Sequence, residues 1–469
     1  MSDSNTEYAI AVDIGGTFTD VTLANLSNGQ IWQVKTPSTP SDPSEAFAEG
    51  IRRVLLVADV APLEIAGVFH GTTVATNAVL ERKGARVGLL ITEGCRYVLH
   101  IGRHDVPSDA HMYTWIKPPR LVPPRLIAEV SERVAAGGSV VRDLDDVQCR
   151  EALRTLGEAG IESLAICFLH AYANPDHECR ARELAARDLP EVPVSVSSDV
   201  LPVFREYERT TATVVNAYVL PKVARYHRRL QQRQNELGIA APLRIMKSNG
   251  GMYSAADAAA QPIHTILSGP AAGVVGGILI GASAGQPNTI SIDVGGTSAD
   301  VCLARQGHPE ITVEGQIGGL PLTVPMVDVH TIGAGGGSIA RLSPNRSLLV
   351  GPESAGADPG PACYGRGGRE PTVTDAHLVL SHIPITLADE EVHLDVQLAR
   401  DAIAEHIAQP LGLSLEDAAD GIVEILNHNM AGAIRAESIE RGYDPREFAL
   451  VAGGGAGPLN AGRLAKLLG

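Results

Sequence analysis

The chain has 469 residues, enough for two or three domains with well-buried cores, and its 44% apolar and 20% charged residues are ordinary for a globular protein. A formal charge of −16 excludes broad nucleic-acid binding, which needs basic surface to neutralise phosphates. No stretch is apolar for long enough to span a membrane, the start MSDSNTEY lacks a secretion signal, and the six cysteines form no C-x-x-C pair, so reduced thiols in a cytoplasmic protein are expected.

The first predicted elements lie in AIAVDIGGTFTDVTLAN (9–25), a strand, a glycine turn and a second strand, with QIWQVKTP (30–37) as a third. β-branched residues and short spacing favour a three-strand meander over a helix. A helix is predicted near 43–58. In HGTTVATNAVLERKG (70–84) a polar turn after a strand opens a helix. Two readings stay open there: the turn faces an anion in a cleft, or Thr72 or Thr73 caps the helix and His70 is simply hydrogen-bonded.

From 85 to about 200, strands and helices alternate. ESLAICFL (162–169) reads as a buried strand, and Asn174 and Pro175 as the N-cap and first residue of a helix over 175–187. The proline-rich stretch 105–125, with Trp115, predicts an irregular loop over a pocket or against a partner. REYERTTATVVNAYVLPKVARYHRRLQQRQNELG (205–238) is a long helical pattern expected to break at Pro221 and to link two lobes. Its Glu206 and Arg209 read either as cleft residues or as a solvated pair at the helix start. SGPAAGVVGG (268–277) offers Ser268 as N-cap and Pro270 as first residue of a helix small enough to pack close on a sheet.

An internal repeat follows. TISIDVGGTSADVCLAR (289–305) aligns without gaps to 9–25, and nine of the seventeen positions are identical, among them Asp13/Asp293, Gly15/Gly295, Gly16/Gly296, Thr17/Thr297 and Asp20/Asp300. EITVE (310–314) is the expected third strand of this copy. Two such units far apart in sequence imply two homologous lobes facing each other across a cleft. In D-x-G-G-T-x-x-D, glycines let backbone N–H groups approach a phosphate, and Thr17 and Thr297 add hydroxyl donors. Asp13 and Asp293, at strand ends, are placed to hold Mg²⁺ through its waters.

VDVHTIGAGGGSIAR (327–341) carries another glycine turn, Gly335–Gly337, closed by Ser338. Asp328 and His330 precede it on one strand face, either as a charged pair beside a transferable phosphate or as a satisfied buried contact. GPESAGADPGPACYGRGG (351–368) has few charges and reads as a folded loop. Ser414 with Asp417 starts a helix that Gly442 stops, and FALVA (448–452) runs into GGGAGPLNAGRLAKLL (453–468), a third strand, glycine turn and helix that would seat an adenosine near Gly454 and Gly455.

Taken together, VDIGGTFTD (12–20), HGTTVATNA (70–78), TEGCRYVLHIGR (92–103), EYERTTATVVNAYV (206–219), MKSNGG (246–251), SGPAAGVVG (268–276), DVGGTSAD (293–300), HTIGAGGGS (330–338) and SAGADPGPACYGRGG (354–368) resemble the hydantoinase A/5-oxoprolinase family. That family also includes subunits of acetone and acetophenone carboxylases, and the resemblance runs from residue 8 to the last residue. It implies an α/β, duplicated, actin-like ATPase fold of two lobes, 1–200 with the first phosphate turn and 201–469 with the second turn and the adenosine motif.

It also implies an enzyme that uses ATP and Mg²⁺ to phosphorylate the ring oxygen of a cyclic amide such as hydantoin or 5-oxoproline. A hydantoinase B-like partner subunit would complete hydrolysis within a larger oligomer. The alternatives are a subunit of an ATP-dependent ketone carboxylase, or a nucleotide-binding regulatory or inactive truncated subunit. On this reading Asp13 and Asp293 hold the metal. Gly15, Gly16, Thr17, Thr19, Gly295, Gly296 and Thr297 hold phosphates, Gly335, Gly336 and Gly337 flank the nucleotide, and Asp328 and His330 stand at the reacting centre. The sequence departs from the family pattern F-G-G-A-G-P-x-H-A in having Gly453 for the aromatic and Asn460 for the histidine, and it ends at Gly469 where relatives continue, so the family's C-terminal region is expected to be missing.

Overall fold

The computed structural model describes residues 7–15, 18–39, 42–103, 111, 113–387 and 392–469. Its packing divides into two units, one of residues 1–269 and 312–326 and one of residues 270–311 and 327–469.

The first unit opens with β1 (Tyr8–Ile14), β2 (Phe18–Asn25) and β3 (Ile31–Pro37), an antiparallel meander in which Asp13 faces Asp20 and Asp20 faces Lys35. Alternation along β1 buries Ile10, Val12 and Ile14 and turns Asp13 outward, the period-two pattern that a half-covered strand requires. The helix expected near 43–58 is α1 (Pro43–Ala58), capped by the Asp42 side chain and ended by Asp59 in the left-handed region. β4 (Ile65–Gly71) runs parallel to β1, and α2 (Val74–Leu80) follows it. A second, all-parallel sheet holds β5 (Val87–Thr92), β6 (Ile127–Val130), β7 (Ser163–Cys167) and β8 (Val194–Val196), in the order β8-β7-β5-β6. Every residue of β5 and β7 is buried, as parallel strands covered on both faces must be. The helix after β7 is Asp176–Asp188, with Asn174 Oδ1 accepting from the Asp176 amide.

Three expectations need correction in α3 (Glu206–Glu236). The helix is continuous through Pro221, and all of it lies in the first unit, so it does not link lobes. An interior proline costs about 3 kcal/mol, but both flanking halves are buried: Val214, Val215 and Val223 pack in one apolar cluster, Tyr226 and Leu230 in another. The Tyr218 carbonyl, three residues before the proline, is taken by the Ala85 amide at 2.8 Å. Arg209 is neither a cleft residue nor solvated. It is 1% exposed, donates to the carbonyls of Val203 and Phe168, and lies over the Tyr172 ring. β9 (Leu243–Met246) and β10 (Met252–Ser254) complete the first sheet, ordered β10-β9-β4-β1-β2-β3.

The helix α4 (Ser268–Ser283) leads to the second unit's sheet. There β11 (Thr289–Val294) pairs antiparallel with β12 (Ala299–Arg305), with Asp293 facing Asp300, and repeats the register of β1 with β2. The third strand expected at 310–314 does not follow. Only His308–Pro309 continues on β12, and the place beside Asp300 is taken by β13 (His330–Ile332). On the far side β14 (Ala449–Gly453) runs parallel to β11, as β4 does to β1. The Ser414 N-cap, whose hydroxyl accepts from the Asp417 amide, and the stop at Gly442 (φ 84°) bound α5 (Leu415–Ser438) and its last turn, and α6 (Gly457–Leu468) is the last helix.

Alternation in β11 sends Ile290, Ile292 and Val294 into the cluster shared with α5 and α6, and Asp293 to the other face, under α4. The row Gly273, Gly277, Gly281 makes that cover possible. A Cβ on Gly281 would stand 2.3 Å from the Thr289 side chain, and one on Gly277 would stand 3.2 Å from Ser291. No helix among the described residues is long and apolar enough to cross a membrane.

Candidate functional site

The two matched turns close with the same hydrogen bond. The Gly15 amide donates to Phe18 O at 2.9 Å, and the Gly295 amide donates to Ser298 O at 3.0 Å. Each first-glycine carbonyl is braced, that of Gly15 by the Ser38 hydroxyl at 2.8 Å and that of Gly295 by the Gly336 amide at 3.0 Å. Gly16 and Thr17 lie outside the described residues. In the second copy Gly295, Gly296 and Thr297 are exposed, and among the described residues the amides of Gly296 and Thr297 donate to no protein atom. Two outward amides on a turn with no side-chain cover are a ready acceptor for an anion.

Asp293 stands beside this turn. The residue as a whole is exposed, yet its carboxylate is crowded: a Cβ on Gly273 would lie 3.4 Å from one oxygen and a Cβ on Gly454 2.2 Å from the other. That desolvation raises the Asp293 pKa. The Asp300 carboxyl, directly across the ladder, is also raised, first by burial, with the Asp293 charge adding to it and the Thr331 hydroxyl (2.6 Å) opposing it. Two neighbouring carboxyls that both resist ionisation are stabilised by a cation. The described residues contain no cluster of three or more metal-ligating side chains, so an ion here would keep most of its ligands as water or phosphate oxygen, the coordination that Mg²⁺ prefers. In the first copy the position across from Asp13 is Asp20, which is already paired with Lys35.

The remaining candidates are placed differently. Thr19 is fully buried, and its hydroxyl bonds that of Ser38, so it supports the first turn from beneath. Gly335, Gly336 and Gly337 are buried as well, and the amides of Gly336 and Gly337 are committed to the carbonyls of Gly295 and Gly296. Ser338 Oγ accepts from the Gly335 amide, and Thr374 Oγ1 donates to Gly336 O. This loop buttresses the second glycine turn. The 351–368 loop is tied down by buried Asp375, which accepts from the amides of Ala362, Cys363 and Thr372.

Asp328 and His330 do not touch each other or share Asp293's face. Val301 is the cross-strand partner of His330 and points to the α5 side, while Asp300 and Thr331 point to the α4 side with Asp293. Asp328 pairs with Arg441 at 2.6 Å, Arg441 with Glu437 at 2.8 Å, and His330 approaches Glu437 at 3.6 Å. Asn460 is fully buried, accepts from Asn427 Nδ2 and donates to Ala456 O, each at 2.9 Å, and so fastens α6 to α5.

Gly454 sits at φ 77°, and a Cβ there would also stand 2.5 Å from Val294 O. Gly454→Ala is expected to lower stability by about 2–3 kcal/mol, from the left-handed backbone together with the clash. Thermal unfolding measures it, and an unchanged Tm would show that the turn relaxes freely.

Within the first unit a cavity of about 580 Å³ opens beside Gly15. Ser38, Thr72, Thr73 and Tyr226 line it, with Lys222, Arg225 and Arg229 from one side of α3. His70 lies behind it, 1% exposed, with Nδ1 3.0 Å from Val12 O and Nε2 2.8 Å from the Tyr226 hydroxyl. Burial lowers its pKa to about 4, so the ring is neutral at pH 7. A carbonyl only accepts, so Nδ1 carries the proton and Nε2 accepts from Tyr226. No periodicity in the sequence marks this buried bridge, which matches the hydrogen-bonded alternative for His70.

A family model described as hydantoinase/oxoprolinase matches residues 209–469, and one described as its N-terminal region matches residues 9–189. Caprolactamase subunit alpha of Pseudomonas jessenii is 41% identical over 99% of this chain and 68% of its own length. The acetophenone carboxylase gamma subunit of Aromatoleum aromaticum is 37% identical over 98% of this chain and 65% of its own length. The crystal structure of an ATP-dependent caprolactamase from Pseudomonas jessenii superposes with a TM-score of 0.87 at 40% identity, over 98% of this chain and 67% of that one. The chain thus spans about two thirds of these relatives.

Proposed function

The chain belongs to the hydantoinase/oxoprolinase family, and from that premise we propose that it is the phosphorylating subunit of an ATP-dependent enzyme acting on a cyclic amide. The observation that carries the reading is the pair of D-x-G-G-T-x-x-D turns, closed by the same hydrogen bond, with the free amides of Gly296 and Thr297 beside the Asp293 carboxylate. The likeness to a caprolactamase subunit favours a lactam.

A small-ring amide is a poor electrophile because its nitrogen donates into the carbonyl. Moving a phosphoryl group onto the carbonyl oxygen turns that oxygen into a leaving group, and such transfer is catalysed by alignment and charge neutralisation. Gly16 and Thr17 in one turn, and Gly296 and Thr297 in the other, would donate to phosphate oxygens, while Gly15 and Gly295, whose amides close the turns, let the backbone come close. Thr19 and Gly335–Gly337 hold those turns rigid from beneath, and Gly454 and Gly455 edge the adenosine. Asp13 and Asp293 are the residues that would hold Mg²⁺, which when bound would neutralise charge on the phosphates. Asp328 and His330 brace the end of α5 and are assigned no part in the transfer.

On this reading both units derive from one duplicated actin-like phosphotransferase core, supported by the meander with a parallel fourth strand in each. The division into 1–200 and 201–469 is kept as a proposal about that ancestry, distinct from the packing units. A hydantoinase B-like partner supplies hydrolysis. A second reading, a ketone carboxylase subunit, is favoured by the likeness to the acetophenone carboxylase gamma subunit.

ADP release from Mg²⁺·ATP decides between them, with this chain and a hydantoinase B-like partner offered hydantoin, 5-oxoproline, caprolactam, or acetophenone with bicarbonate. Stimulation by a cyclic amide is expected. Stimulation by the ketone alone selects the carboxylase, and nucleotide binding without stimulation selects a regulatory or inactive subunit.

A further inference from the structure

A second cavity of the first unit, about 420 Å³, lies among segments that the phosphate turns do not use. It gathers Arg103 from the 92–103 motif, Trp115, Lys117 and Arg120 from the proline-rich loop, and Arg205 and Tyr207 from the start of α3. Four cations against two carboxylates, Glu208 and Glu314, make it a basic pocket in a chain of charge −16. Of the cations, Arg103 forms a bidentate pair with Glu208, both bonds at 2.8 Å, and Lys117 donates to Ile101 O. Arg120 donates to the Tyr207 hydroxyl at 3.1 Å, and Arg205 lies 5.5 Å over the Phe204 ring with its charge felt by Glu208; among the described residues neither forms a close ion pair with a carboxylate.

Arg205 also holds φ 79°, a conformation that costs a non-glycine residue about 1–2 kcal/mol. Strain of this kind concentrates where a side chain must be aimed. The Trp115 indole and the buried Tyr207 ring supply flat apolar faces beside these two guanidiniums. Guanidinium forks bind carboxylates in the plane, and aromatic faces take flat rings. We propose that this cavity binds a small planar-ring carboxylate, with Arg120 and Arg205 holding the carboxylate and Trp115 the ring, at a site separate from the two glycine turns. The inference is independent of the phosphoryl-transfer reading.

Trp32 and Trp115 are the only tryptophans, so W32F leaves Trp115 as a single fluorophore inside the site. The full chain carrying W32F is titrated with benzoate and 5-oxoproline, with their neutral counterparts benzamide and 2-pyrrolidinone, and with inorganic phosphate. Saturable quenching is expected for the two carboxylates, at least about tenfold tighter than for the neutral rings or for phosphate. R205G relieves the backbone strain while removing the charge, so its Tm should hold or rise while carboxylate binding weakens about tenfold; R120Q should weaken binding similarly. Equal binding of neutral rings, equal binding of bare phosphate, no saturable response, or unchanged affinity in R205G would each overturn the proposal.

Discussion

Asp293→Asn is expected to leave the second unit folded and to reduce nucleotide-dependent turnover by on the order of 10²–10³-fold. The substitution is nearly isosteric, and Gly273 and Gly454, which leave room beside the carboxylate because they carry no Cβ, would leave the same room for an amide. Burial already disfavours the charge at this position, so removing it costs the isolated fold little and relieves Asp300 of a like-charged neighbour. On the proposed function, the negative charge is needed only for a cation-bearing phosphate. The measurement is ADP release at saturating Mg²⁺·ATP beside a thermal melt. Loss of turnover with an unchanged or raised Tm assigns the charge to catalysis. A fall in Tm that accounts for the lost turnover would make Asp293 a structural residue, and unchanged turnover would move the metal elsewhere.

The same comparison shows what the sequence made legible. The Asp13/Asp293 repeat was visible because period-two burial and a glycine turn are local signals, and both copies close as the matched letters imply. The helix over 43–58 was legible from its ends, since Pro43 and the capping Asp42 are punctuation that survives without tertiary context. Pro221 misled because its cost is local while the burial that outweighs it comes from two separate clusters. Arg209 and the Asp328–Arg441–Glu437 network depend on partners far along the chain, so charge pattern alone could not pair them. The buttress role of Gly335–Gly337 was hidden for a related reason: a glycine run that receives an anion and one that stacks on another turn read identically.

Lowering the pH from 7.5 to 5 should destabilise the first unit more than the second. Burial lowers the pKa of His70 to about 4, of His227 to about 3 and of His264 to about 4, all in the first unit, while the second holds one such residue, His377, at about 4. Unfolded histidine titrates near 6.5. A group whose folded pKa is depressed favours its neutral form in the fold, so this stability is fully present above pH 6.5 and drains as the pH falls toward 4. For His70 alone the whole interval is worth roughly 3 kcal/mol. Glu178 acts in the opposite sense, since burial raises its pKa and protonation relieves it, but it is one group against three. Neither ring nitrogen of His227 bonds a protein atom among the described residues, so His227→Phe removes a titrating group without breaking a hydrogen bond. Chemical denaturation across pH 5–7.5 should give a steep loss for the native chain and, for His227→Phe, a slope shallower by about 1.4 kcal/mol per pH unit where that histidine titrates. A native chain equally stable at both ends of the range would mean that these histidines take up protons in the fold as easily as in the unfolded chain.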